Sequence, residues 1–432
     1  MSNTTHVRTT KITTPMSTAN LSMIFKLGYR NLLRDYKRSA ILTFAIITGV
    51  AGLAFFQMLN DGFIQMMVGT IVNSSIGHIQ IHQKDYSIDL DPVKTLTLNK
   101  ELKKILKDCP YVKEYSPRIV TNCLVSSSNG SYPTLMKGID KTKEANITDI
   151  NSKLTFGELP EVSDDKSITI GNAMARHLKV LSGDRIVVMT RNIDGTMESG
   201  SFIVTGLFKA QSAQSEMAMI FLSTKGAMNL LGLKMKDQKF HEIAIKLHTF
   251  EDYKIATKLI KNQLSKNTDI LVQSWAELRP IISGQIELVW VSTLIMFSIV
   301  FVALSFGIFN SFMIEIYERT REFGIMMAIG AKRRTIMFLL LTEAFLIGLT
   351  GAVAGLFSAW FCCHILMDGI LDLSFWGNAM SHFDFSSSVP LVLTTKMIAL
   401  SLTATVTITV LATIYPAIKA ALYRPLAKAM RS

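Results

Sequence analysis

Tyr317-Glu318-Arg319-Thr320-Arg321-Glu322-Phe323-Gly324-Ile325-Met326-Met327-Ala328-Ile329-Gly330-Ala331-Lys332-Arg333-Arg334 is a short charged, amphipathic segment set between two long apolar runs. Before it, Leu288 to Ile314 carries no ionised side chain. After it, Thr335 to His364 carries one, Glu343. A helix rises about 1.5 Å per residue, so each run can cross the roughly 30 Å of a bilayer. The segment is therefore a polar connection between two membrane helices, and whatever docks on it pushes on both.

Two further windows behave alike: Ser39–Asn60 and Met397–Ala417. Four spans are expected, at 39–60, 288–314, 335–364 and 397–416. The 432 residues are 49% hydrophobic and 18% charged, below the roughly 25% charged of an average soluble domain. The net charge of +12 is confined to three stretches: 1–38 carries +6, 315–334 carries +2 and 417–432 carries +4. Basic residues beside span ends mark the cytoplasmic side, which places both termini and the central segment there. No excess charge remains for a nucleic-acid surface.

Residues 1–22, rich in Thr, Ser and Asn, read as a disordered cytoplasmic tail. Residues 23–38 interleave apolar residues with Lys26, Arg30, Arg34, Lys37 and Arg38, as in a helix lying in the inner interface among membrane lipids. The loop at 365–396, with Lys396 as its one Lys or Arg, returns to the outside, and 417–432 is a basic cytoplasmic tail.

Residues 61–287 form one large outside domain, between the first and second spans. Gly77–His82 alternates as a strand does, Leu98–Cys109 has helical spacing, and strands follow around Val112–Val120 and Cys123–Lys137 with a turn at Asn129-Gly130. Phe240–His248 and Asp269–Trp275 read as strands on either side of an amphipathic helix at Glu251–Ser265. Strand–helix–strand–strand, an interruption, then strand–helix–strand suggests a split ferredoxin-like part at 70–139 and 240–280. The interruption, 140–232, is rich in short strands and turns such as Asp194-Gly195 and reads as a β-rich insertion. The fold class is thus an α-helical membrane protein with four spans and a large α+β periplasmic domain.

No catalytic constellation emerges, and neither a cofactor nor a metal site is expected in this chain. His78 and His82 share one face of a strand and read as exposed histidines. Gly324 to Lys332 has the glycines of a phosphate loop but five residues between them where four are needed, and Ala331 where the lysine belongs. The chain is expected to carry no ATPase of its own. A disulfide between Cys109 and Cys123 is compatible with an outside location but stays open, since spacing does not show that the two Cα atoms approach. Glu343 is an isolated acid within a span, either a polar functional site or the partner of a neighbouring helix. The central segment is either an interfacial loop or a docking helix whose apolar face enters a soluble partner's groove.

The run Glu318 to Ala331 resembles the cytoplasmic signature E-R-x-R-E-[IF]-G-[IL]-x-x-A-[LI]-G-A of the MacB/FtsX-type permeases of ABC transporters. Glu343-x4-Gly348-x2-Gly351-x3-Gly355 is similar to that family's third helix. Pro416, Ala417, Ala420, Pro425, Ala429 and Arg431 resemble its closing tail, with one extra residue between Pro425 and Ala429. Ile168 to Asp184 and Phe202 to Phe208 look like outside stretches of the lipoprotein-releasing LolC/LolE subgroup. The resemblance implies coupling to a separate cytoplasmic ABC ATPase, which would bind the ATP and Mg. It assigns that contact to Glu318, Arg319, Thr320, Arg321, Glu322, Phe323, Gly324, Ile325, Ala328, Gly330 and Ala331. It further implies a second permease subunit, identical or paralogous, in a bacterial inner membrane. ATP-driven movement would then be transmitted to the periplasmic domains, which would extract a lipoprotein, with a periplasmic carrier receiving it. The same machinery serves an FtsX-like regulator of a cell-wall hydrolase or a MacB-like drug or peptide exporter.

Overall fold

The computed structural model describes residues 18–210, 212–264, 269–376 and 388–422. The chain divides into two compact units, residues 1–61, 289–370 and 391–432 in the first, and 62–288 and 371–390 in the second.

Among the described residues four helices have the length and apolar character to cross a membrane, and they begin and end in places that the charge-free windows alone do not give. An N-terminal helix, Thr18–Arg34, precedes the first span helix, Tyr36–Ile71, so residues 18–38 form two helices where one interfacial helix at 23–38 is expected. The Asp35 and Ser39 amides donate to the Asn31 and Asp35 carbonyls, carrying the hydrogen-bond ladder across the junction. Asp61-Gly62 does not stop the first span helix. Gln57 donates to the Asp61 carboxylate at 2.8 Å within the helix, and Met66, Met67 and Val68 are buried beyond it. The second span helix, Pro280–Glu318, starts eight residues before Leu288, with proline where a helix has no partner for an amide. The third and fourth are Arg333–Phe361 and Thr395–Leu422. The expected tail residues 1–17, and Pro425, Ala429 and Arg431, lie outside the described residues.

In the first unit the third span helix is the packing centre, because its glycines let neighbours come close. A Cβ at Gly351 would stand 2.6 Å from Ile46, one at Gly355 2.8 Å from Val50, and one at Gly348 2.8 Å from Thr409 of the fourth span. Ser401, Thr405, Thr409 and Thr413, each a turn apart, are buried on the fourth span. The Thr409 and Thr413 hydroxyls donate to the carbonyls one turn back, so these two polar groups are satisfied within their own helix.

The second unit holds a ten-stranded sheet. Its strands in chain order are β1 (Ile79–Gln83), β2 (Val112–Ser127), β3 (Gly130–Ile139), β4 (Leu154–Gly157), β5 (Ser167–Gly171), β6 (Arg185–Arg191), β7 (Met197–Phe208), β8 (Met219–Ser223), β9 (Glu242–Leu247) and β10 (Ile270–Ser274). Four helices matter here: α1 (Lys100–Asp108), α2 (Lys141–Ile147), α3 (Asn172–Leu178) and α4 (Tyr253–Gln263). At one end the order is β10-β1-β9-β2, all antiparallel, with α1 linking β1 to β2 and α4 linking β9 to β10. Each helix thus joins two strands separated by a third, the split β-α-β arrangement.

The insertion closes on itself. β2 pairs with β3, β3 with β8, β8 with β5, β5 with β7, β7 with β6, and β6 again with β2. Closure removes exposed strand edges, which an open sheet of such short strands would present. The ferredoxin-like boundary at 139 does not follow the pairing: β3 belongs to the closed ring, and β2 serves both parts. Val112–Val120 and Cys123–Ser127 are one continuous strand, turned back at Ser128-Asn129.

In this unit one reading left open is decided and one expectation fails. Cys109 and Cys123 are free thiols, both buried in one apolar core. Cys109 caps α1, whereas Cys123 lies eleven residues along β2 from Val112, roughly 36 Å at strand rise, far beyond the ~7 Å Cα limit of a disulfide. Burial raises the Cys123 thiol to about 12. His78 and His82 are buried, not exposed, because β1 is flanked on both edges and its faces are covered. His82 sits 6.1 Å from the Tyr86 ring, which itself stacks on His241 at 5.4 Å.

Candidate functional site

The connection between the second and third spans folds into three pieces. The second span helix ends at Glu318, Arg319 leaves helical geometry (φ −96°, ψ 13°), and a linker helix runs from Thr320 to Ala328. Gly330 then takes φ +103°, a left-handed value that costs glycine little, and Ala331 donates back to the Met326 carbonyl. Lys332 is extended and the third span helix begins at Arg333. Glycine and the break at Arg319 thus set a nine-residue helix between two spans.

Arg319 is the centre of this arrangement. Its guanidinium donates to Glu315 at 2.7 Å, to Glu322 at 3.1 Å and to Glu343 at 3.3 and 3.4 Å. It also lies 5.3 Å over the Phe323 ring. Three carboxylates, from the second span, the linker helix and the third span, therefore share one buried cation. Glu343, whose side chain is only 3% exposed, also accepts from the Asn31 amide of the N-terminal helix at 2.7 Å. Of the readings that the sequence left open for this acid, pairing with neighbouring elements is what the structure contains.

The N-terminal segment closes the cluster from the other side. Arg34 donates to both oxygens of Glu322 at 2.9 and 2.8 Å. That contact, with help from Arg319, holds the Glu322 carboxyl below the ordinary glutamate range. Arg38 reaches Glu318 at 3.3 Å, Glu315 at 3.9 Å and the Ser311 hydroxyl at 3.4 Å. On the fourth span, Lys419 donates to the Tyr317 hydroxyl at 3.0 Å. A crevice lined by Asn31, Asp35, Arg38, Ser311, Glu315 and Glu343 lies among these groups. Among the described residues no group of His, Cys, Asp or Glu has metal-binding geometry.

The segment presents two sides. Arg319 and Phe323 are buried and face the protein. Arg321, Ile325, Ala328, Ile329 and Gly330 lie at or near the surface, Ile329 exposed to 83% and Ile325 to 52%. The sequence grouped Arg319 and Phe323 with the contact residues; the structure puts them behind that surface. Glu318 and Glu322 are exposed but bound to Arg38 and Arg34, and the Thr320 hydroxyl donates to the Ile316 carbonyl at 2.8 Å. Asn31, Arg34, Arg38 and Glu315 complete the site without having been singled out as site residues. The signal available for them was spacing: Glu315, Arg319 and Glu322 at four and three residues share a helix face, as do Arg34 and Arg38.

The family described as FtsX-like permease C-terminal matches residues 294–423, and that described as MacB-like periplasmic core domain matches residues 39–263. The macrolide export ATP-binding/permease protein MacB of Agrobacterium fabrum is 22% identical over 337 residues, covering 74% of this chain and 50% of that protein. Its counterpart in Haemophilus ducreyi is 24% identical over 368 residues, covering 80% of this chain and 48% of that protein. The chain spans about half the length of these curated relatives. The crystal structure of the periplasmic region of MacB from Actinobacillus actinomycetemcomitans is 14% identical, covers 48% of this chain and 94% of its own, and superposes with a TM-score of 0.33.

Proposed function

Since the chain belongs to the MacB/FtsX-type permeases of ABC transporters, we propose that Arg321, Ile325, Ala328 and Ile329 form the docking surface for a cytoplasmic ATPase whose movements this chain carries through the bilayer. The observation that supports this most is the two-sided linker helix. Its outer side is apolar and exposed, as a groove-binding helix requires, and its inner side is bound through Arg319, Glu322 and Glu343 to the second span, the third span and the N-terminal helix. A displacement of the linker helix therefore reaches several membrane elements at once. The first and second span helices continue into the large domain between them, which delivers the motion there.

In this reading both termini and the linker helix are cytoplasmic, the large domain is periplasmic, and a second permease subunit completes the transporter in the bacterial inner membrane. The substrate is a lipoprotein drawn from the outer leaflet and passed to a periplasmic carrier. ATP and Mg belong to the ATPase. The MacB identity of the matched relatives favours a second reading, export of a drug or peptide, in which the same device works on a different cargo.

Purification in mild detergent with mass spectrometry of the bound proteins tests the proposal. A bound ATPase is expected, and Ile329→Asp should lose it while membrane insertion persists. An ATPase retained at full yield by Ile329→Asp, with normal ATP turnover, would remove the docking assignment. Bound lipoproteins would favour the first cargo, and an adaptor with an outer-membrane channel the second.

A further inference from the structure

The helical layer of the ferredoxin-like part has a surface that the linker-helix device does not use. α1 buries Leu102 and Leu106 and α4 buries Ala256, Thr257 and Ile260, so both helices lie on one apolar core. Their outward sides carry Lys100, Lys104 and Lys107 from α1 and Lys254, Lys258 and Lys261 from α4, all exposed. None of these six forms an ion pair with a described residue. Acids within the two helices are limited to Glu101 and Asp108. Between the lysines of α4 stand Ile255, 52% exposed, and Leu259, 40% exposed, one turn apart.

The chemistry of this face narrows its occupant. Every base on the two helices is lysine, none arginine. Protein interfaces favour arginine, whose planar fork makes paired hydrogen bonds, and they are depleted in lysine. Lysine is a mobile point charge, suited to a fluid layer of phosphates. Two aliphatic side chains set among lysines match an interfacial helix, whose apolar groups enter the headgroup region while the ammonium groups stay at the phosphates. Both ends of this domain continue into membrane-length helices, so the chain that carries this face also carries the means to enter a bilayer.

We propose that the exposed face of α1 and α4 binds the anionic phospholipid headgroups of the bilayer that anchors the chain, with Ile255 and Leu259 entering the headgroup layer. This goes beyond the transport reading and requires that the chain be membrane-anchored and that this face reach the bilayer.

The test uses the full chain with Cys362→Ser and Leu259→Cys, labelled at the thiol introduced in α4 with a polarity-sensitive fluorophore while the three remaining native thiols are buried. It is reconstituted in nanodiscs of phosphatidylcholine alone or of phosphatidylcholine with one third phosphatidylglycerol. The expected result is blue-shifted emission in the anionic discs only. Salt near 1 M, where the Debye length is about 3 Å, should reverse it. Replacing Lys254, Lys258 and Lys261 by Gln should abolish it without changing the melting temperature. Equal emission in both discs, or a shift that survives the lysine replacements, overturns the proposal. A second probe, at Ile255→Cys, guards against a local defect of the first and must behave the same way.

Discussion

Arg319 and Arg118 are both buried arginines held by glutamates, and they make different demands on the fold. Arg118 on β2 is fully enclosed, with Glu144 of α2 at 2.6 Å and Glu242 of β9 at 2.9 Å. Replacing it by methionine leaves two carboxylates in the core without their cation, so Arg118→Met should cost about 3–5 kcal/mol. Denaturant unfolding of the intact protein in detergent measures it. Lys137, also buried beside this pair, has its amine lowered to about 8, chiefly by burial and then by the Arg118 charge. An amine depressed below its unfolded value binds fewer protons in the folded state between about pH 8 and its ordinary range near 10.5. Stability therefore rises with pH across that window. The melting temperature of the wild type should gain on that of Lys137→Met between about pH 8 and pH 10; a constant difference would contradict it. The Arg34–Glu322 pair is about half exposed on each side, so a double-mutant cycle should give at most ~1 kcal/mol of stability. On the proposed coupling role, Arg34→Gln should shift the melting temperature little yet lower the ATPase activity of a bound partner.

Among the elements, membrane helices were the most legible because a bilayer tolerates few charges and imposes a minimum length. Their true ends were less so, since a helix need not stop where the hydrocarbon does; Asp61, satisfied by Gln57, shows how an acid can sit inside one. The ferredoxin-like strands could be read from alternation, but closure of the insertion could not, because pairing β2 with β6 depends on register between strands far apart in the chain. The same gap explains the histidines: alternation showed that His78 and His82 share a face, and only the neighbouring layers decide whether that face is wet. For the segment between the second and third spans, residue types and spacing pointed to a helix, whereas the inward turn of Arg319 needed Glu343 to be placed beside it. Glycines of the third span are different again, since small residues there announce close packing. Gly355→Val should force Val50 and Ile47 away and destabilise the membrane unit by about 1–3 kcal/mol, checked by the melting temperature in detergent.

For the molecule as a whole, thiol chemistry gives a direct check on both units. Cys109, Cys123 and Cys363 are buried and Cys362 is half-exposed. Alkylation of the folded protein without reductant should modify Cys362 first and release all four under denaturant; two thiols that stay blocked until reduction would restore the disulfide. The continuous strand β2 has a further meaning. It is sixteen residues long, roughly 50 Å, and its first half belongs to the ferredoxin-like part while its second half is a stave of the closed ring. Two bodies that share an unbroken strand have no swivel between them, so a turn of one is a swing of the other. Over a lever arm of about 50 Å, a tilt of roughly one tenth of a radian carries the far end about 5 Å. That travel matches a one-turn slip of one packed element past another, reached from a tilt too small to disturb the packing at its base.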